Sequence, residues 1–138
     1  MEPYLPAIAG LMEENWKETG YNFDLNLNTD QYFLLEHHQR MFAHFIFDGE
    51  DVVGYCTAFI NKHLQNKQIV LCVSDAMYIK PDYRSSIISG RLIKAVEKEA
   101  KRRGAAQMVW VAKEHSTFHK ALVKRTHLVS EVMVTKEL

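Results

Sequence analysis

The sequence predicts a single α/β domain over residues 1–138, with a mixed β-sheet flanked by helices in the order αα-βββ-α-β-α-β. Three observations carry this. Ile88, Leu92, Val96 and Ala100 repeat every four residues within Ser86–Arg103, the mark of an amphipathic helix. Three β-prone runs rich in Val, Ile, Tyr, Phe and Thr fill residues 41–79. Helical patterns lie on both sides of those runs. The composition, 47% hydrophobic and 25% charged, is that of a globular chain and argues against disorder. No run approaches the ~18 uncharged apolar residues of a membrane span. The opening residues show no basic-then-apolar signal pattern. Cys56 and Cys72 sit in apolar, β-like runs with no CxxC, so reduced core thiols in a cytoplasmic protein are expected.

The first helix runs from Glu2 to Thr19. Pro3 stands near its start, Leu5, Ile8, Met12 and Trp16 form one apolar face, and Gly20 ends it. An Asn-rich loop, Tyr21 to Asn28, follows. Asn28 with Gln31 three residues on reads as a capping box for a second helix, Thr29 to Met41. Met41–Phe47 is the first strand, closed by the hairpin signal Asp48-Gly49. Val52–Asn61 and Gln68–Ile79 are the next two, and Lys80-Pro81 stops the third. The long helix Ser86–Arg103 ends at Gly104, with Lys101, Arg102 and Arg103 complementing its dipole. Gln107–Ala112 is a strand, Thr117–Arg125 a short helix and Val129–Lys136 a final strand. The aromatic side chains Tyr32, Phe33, Phe42, Phe45, Phe47, Tyr55 and Phe59 are expected in the core.

Charge is unevenly placed. The chain is neutral, yet residues 1–60 carry net −8 and residues 61–138 net +8. If the halves form different surfaces, one favours cations and the other anions; if they interleave, they neutralise each other. The basic helix face lacks interleaved aromatics, which argues against nucleic acid. Glu36, His37 and His38 read as a solvated helix face. His115 and His119 stand four apart, but two ligands do not make a site, so no metal is expected. Exposed sheet edges in a small domain invite pairing, which would give a homodimer.

The segment with chemical content is Pro81-Asp82-Tyr83-Arg84-Ser85-Ser86-Ile87-Ile88-Ser89-Gly90. A strand that turns through a short basic, small-residue loop into a helix presents free backbone N–H groups at a positive dipole end. That geometry suits a phosphate or diphosphate, and no acid stands in the first turn to compete. An ordinary strand-to-helix turn with a serine cap fits the same residues.

The run Met77-Tyr78-Ile79-Lys80-Pro81-Asp82-Tyr83-Arg84 resembles the GNAT superfamily of N-acetyltransferases. So do the helix start Ser89-Gly90-Arg91-Leu92-Ile93, its end Lys101-Arg102-Arg103-Gly104-Ala105, and the strand Met108-Val109-Trp110. The resemblance covers about residues 50–138. It implies a GNAT-like sheet and an acetyl-CoA site. Loop amides would hold the diphosphate, with Arg84 at the family's Arg-or-Gln position, Ile87 and Ser89 at its two small positions, and Ser85, Ser86, Ile88 and Gly90 around them. Backbone groups of Met77, Tyr78 and Ile79 would line the pantetheine arm. The family's C-terminal Asn falls on Ser116 and so at the cofactor. Two positions depart from the pattern. Ile87 replaces a glycine, and Val123 stands where the family has a proton-donating Tyr, followed by His127-Leu128 in place of Gly-Phe.

The implied activity is direct acetyl transfer from acetyl-CoA to a primary amine in a ternary complex. The acceptor would be a protein lysine, a polyamine or another small cationic amine. Such an amine, with pKa near 10.4, is only about one part in two thousand neutral at pH 7, so a base is needed. Asp75 is the first candidate, since a regular pleat puts it on one face with Met77 and Ile79. His119 is the second, as base or as the missing acid. The competing expectation is a non-catalytic binding protein of the same fold with a degenerate cofactor site.

Overall fold

The computed structural model describes residues 1–125 and 133–138. A 3-10 turn at Glu2–Tyr4 leads into α1 (Leu5–Thr19), with a proline in the first turn, where its missing N–H costs nothing. Gly20 takes φ 71 and donates its N–H to Trp16 O at 3.2 Å, the left-handed reversal that glycine makes without a Cβ clash. The Asn-rich loop is pinned back on α1 by Trp16 Nε1, which donates to Phe23 O at 2.8 Å. The rings of Trp16, Tyr21 and Phe23 cluster there.

Helix α2 spans Thr29–His37, and the Asn28 side chain accepts the Gln31 N–H at 3.2 Å, as the sequence predicts. It stops short of Met41. Gln39 turns out of the helix at φ 56, and Arg40 N–H donates to Leu35 O. Met41 is thereby released to open the first strand, where it is buried.

Among the described residues the sheet has four strands in the order β1 (Met41–Asp48), β2 (Asp51–His63), β3 (Asn66–Ile79), β4 (Gln107–Val109). The first two pairings are antiparallel and β3–β4 is parallel, so the sheet is mixed. Helix α3 (Ser86–Arg102) makes the crossover that a parallel pair requires, and α4 (Thr117–Lys124) follows β4. Strand β4 is shorter than the predicted Gln107–Ala112. Of the predicted strand Val129–Lys136, positions 129–132 lie outside the described residues and 133–136 form no regular element. His127 and Leu128 also lie outside them.

Strand alternation splits the core in two. Ile8, Leu11 and Met12 of α1 meet Met41, Tyr55 and Tyr78 on one face. Leu92, Val96 and Ala100 of α3 meet Phe42, Cys56, Ala58 and Cys72 on the other. Each large side chain so buried contributes about 1.5–3 kcal/mol. Phe47 departs from the expected core and is exposed, because it sits at the hairpin end of the edge strand. Both cysteines are free and buried; burial pushes the Cys72 thiol up to about 11 and raises that of Cys56 as well. No helix among the described residues is long and apolar enough to cross a membrane.

Candidate active site

Strands β3 and β4 pair where Leu71–Val73 face Gln107–Val109, and Ala106 N–H donates to Val70 O at 2.8 Å just before that stretch. Beyond that stretch the backbone ladder between them ends, leaving a fork in the hydrogen bonding. The next bond across the gap is not backbone to backbone: Val111 N–H donates to Ser74 Oγ at 2.8 Å, and Ser74 is buried. β3 meanwhile stays paired with β2 as far as Ile79. Lys80 N–H donates to Val53 O at 2.9 Å. Antiparallel alternation then turns the backbone groups of Tyr78 toward β2 and those of Met77 and Ile79 toward the fork. One of these fork-side groups, the Ile79 carbonyl, accepts Arg84 Nε at 2.7 Å.

A β-bulge lies at the base of the fork. Thr57 faces Ala76 while Ala58 faces Ser74, so Asp75 is the extra residue. This corrects the expectation from a regular pleat. Asp75 does not share the face of Met77 and Ile79; the bulge turns it to the α1–α2 face. There Asp75 Oδ2 accepts from Tyr32 Oη at 2.6 Å and from Thr57 Oγ1 at 2.9 Å. Both donors end on one oxygen, and among the described residues no hydrogen bond reaches Oδ1. Burial, then the Asp75 bond and charge, push the Tyr32 phenol upward, which keeps it a donor. Nearer the fork mouth, Tyr78 Oη donates to Glu14 at 2.7 Å and Tyr55 Oη accepts from Asn15 at 3.2 Å. Burial pushes both phenols up to about 12. These bonds tie α1 to the sheet beside the fork.

The loop from β3 to α3 is held from both ends. Tyr83 Oη donates to Asp48 at 2.6 Å. The Arg84 guanidinium bridges Ile79 O and Glu18, the latter at 2.7 Å, and lies 5.3 Å from the centre of the Tyr78 ring. Its side chain therefore braces the turn. Ser85 caps α3 by accepting Ile88 N–H at 3.1 Å, and Ser89 Oγ donates back to Ser85 O at 2.7 Å. The N–H groups of Ser86 and Ile87, the first two of the helix, have no helical partner. No acid stands in that turn. Ile87, the branched residue in the glycine position, is 66% exposed.

Gly90 has a neighbour that the sequence did not reveal. A Cβ there would lie 2.4 Å from Arg125 Nη2, which donates to Ser86 O at 2.7 Å. The missing side chain admits Arg125 from the end of α4. Ser116 is the N-cap of α4 and accepts His119 N–H at 3.1 Å. His119 Nδ1 accepts the His115 N–H at 3.0 Å, so the neutral ring carries its proton on Nε2. No hydrogen bond joins Asp75 and His119. Asp75 faces α2, whereas α4 packs on the α3 side through Phe118 and Trp110, 5.6 Å between ring centres. Val123 is exposed. Among the described residues no group of three or more His, Cys, Asp or Glu could hold a metal ion.

The sequence did not single out Thr57, Ser74 or Arg125, and it assigned Tyr32 to the core. Thr57 and Ser74 were visible only as lone hydroxyls inside apolar β runs, and Tyr32 and Arg125 carried no signal.

A search of curated proteins finds no match. Among solved structures, the chain is similar to an aminoglycoside acetyltransferase from an uncultured soil metagenomic sample, in complex with trehalose. Identity is 15% and TM-score 0.74, over 99% of this chain and 87% of that one. It is similar to a predicted acetyltransferase with acetyl-CoA from Clostridium acetobutylicum, at 12% identity and TM-score 0.79, over 98% and 90%. It is also similar to the aminoglycoside N-acetyltransferase AAC(6')-Iy in complex with CoA, at 11% identity and TM-score 0.72, over 100% and 96%. A family model, Acetyltransferase (GNAT) family, matches residues 8–122, and the chain belongs to that family.

Proposed function

We propose that this chain is an acetyl-CoA-dependent N-acetyltransferase that moves an acetyl group directly onto a primary amine in a ternary complex. The observation that carries the proposal is that the β3–β4 ladder ends at Val73 and Val109 while β3 runs on to the turn that opens α3. The residues fit the cofactor. The N–H groups of Ser86 and Ile87, at a positive helix end without acids, suit a diphosphate. The fork-side backbone of Met77 and Ile79 suits an extended pantetheine arm. Bound acetyl-CoA supplies an activated acyl thioester. In this reading Ile79 N–H polarises its carbonyl.

Asp75 takes the proton of the acceptor ammonium, directly or through water, on the oxygen that Tyr32 and Thr57 leave open. His119 offers an Nε2–H donor. The acceptor is a cationic amine, favoured by the −8 charge of residues 1–60. The fold shared with two aminoglycoside acetyltransferases supports including small polyamine-like and amino-sugar acceptors beside a protein lysine. Free buried thiols and an acetyl-CoA co-substrate support a cytoplasmic location. Incubation with labelled acetyl-CoA and a panel of polyamines, aminoglycosides and lysine peptides tests the proposal. Label transfer to one class supports it; no transfer to any, with no CoA binding, overturns it.

Val123 favours a second reading, a binding protein of the same fold, because it has no proton to give the leaving thiolate. Protein that binds CoA yet never turns over would establish that reading.

A further inference from the structure

We propose that Ser74 is a positioning residue that sets where the β3–β4 fork opens; its effect on cofactor binding rests on the acetyl-CoA reading above. A continued parallel ladder would join β3 and β4 through backbone groups alone. The ladder instead ends at Val73 and Val109, and the following bond runs from Val111 N–H to a side-chain oxygen, Ser74 Oγ, at 2.8 Å. A side chain inserted as a rung spaces the two backbones farther apart than a peptide rung does. That spacing is where the strands begin to part.

Ser74 is 4% exposed, so water cannot readily replace its hydroxyl. The Val111 N–H belongs to an exposed residue, but the oxygen it meets at the floor of the gap is buried, so removing Ser74 Oγ takes away its protein acceptor on the sheet side. The very next residue, Asp75, is the bulge, and the fork-side backbone of Met77 and Ile79 follows. One hydroxyl thus fixes the end of the ladder, the start of the bulge and the width of the slot together. Its partner residue lies on the segment after β4, so the rung also fixes how that segment leaves the sheet.

Ser74→Ala removes the acceptor, and Ser74→Thr keeps it. In the protein alone, amide exchange at Val111 should quicken at least tenfold in Ser74→Ala and stay within about threefold of wild type in Ser74→Thr. The Kd for coenzyme A, measured by calorimetry, should rise about tenfold in Ser74→Ala and be restored in Ser74→Thr. A fall in melting temperature with an unchanged Kd would mean that Ser74 only stabilises the fold, and would overturn the proposal. Should Ser74→Ala fail to fold, Ser74→Cys, a weak acceptor, takes its place with the same expected directions. Wild type that binds coenzyme A, with variants that bind it equally, overturns this proposal alone. Wild type that ignores coenzyme A overturns the cofactor reading, and the proposal with it.

Discussion

Tyr32 of α2 and Asp75 of the β3 bulge are joined by a 2.6 Å hydrogen bond across 43 residues of sequence. Thr57 of β2 donates to the same carboxylate oxygen at 2.9 Å. A helix and two strands therefore converge on one acid, and the carboxylate is held in a single orientation with one oxygen open.

If Asp75 takes the acceptor's proton, Asp75→Asn should lower acetyl transfer by about 10²–10³-fold. CoA affinity should stay within about threefold of wild type. Tyr32→Phe removes only an orienting bond, so a loss of roughly five- to tenfold is expected. Steady-state rates with saturating acetyl-CoA, compared with calorimetric CoA affinities, separate the two effects. Full activity in Asp75→Asn would remove Asp75 from the chemistry.

Ser86→Glu places a negative charge beside the two open N–H groups of α3. CoA affinity should fall roughly tenfold through like-charge repulsion. Stability should hold or rise slightly, since an acid in a first helical turn is otherwise favourable. A thermal-shift titration with CoA reads both. Unchanged affinity would place the diphosphate elsewhere.

Gly90 and Arg125 should behave as a coupled pair. Gly→Ala in a helix ordinarily gains about 0.8–1 kcal/mol. Here the added methyl would displace Arg125 from Ser86 O. In the wild-type background the gain should vanish or reverse. In an Arg125→Ala background it should appear in full. A double-mutant cycle by urea unfolding checks this, and equal effects in both backgrounds would contradict it.

Glu99 supplies a pH dependence of stability. The Arg102 guanidinium, then that of Arg103, hold its carboxyl down to about 2, against an ordinary carboxylate value of 4.5. A depressed folded-state value stabilises the fold above the ordinary value and loses that contribution as pH falls from 4.5 toward 2. Glu99→Gln should therefore cost about 1 kcal/mol at pH 7 and nothing near pH 2. Urea unfolding of both proteins at the two pH values tests it.

The helices were legible because their signals are local. The apolar repeat and Ser85 define α3, and Asn28 marks the start of α2, each acting within one or two turns. Strand existence was equally legible from β-branched and aromatic runs. The bulge at Asp75 was not, because register is set by the partner strand rather than by the residue itself. The short β4 escaped for the same reason: its end is fixed by Ser74, more than 30 residues away. The loop amides could be placed from sequence, since a strand, a basic turn and a capped helix follow one another directly. The brace from Arg84 to Glu18 and the approach of Arg125 to Gly90 are long-range contacts with no local pattern.

The most direct test is an amide nitrogen–proton correlation spectrum recorded while coenzyme A is titrated into the protein. Saturable shifts centred on Ser86 and Ile87, and extending along Met77 and Ile79, are predicted. A spectrum that stays unchanged at millimolar ligand, or that shifts only at residues away from the β3–β4 gap, would contradict the account.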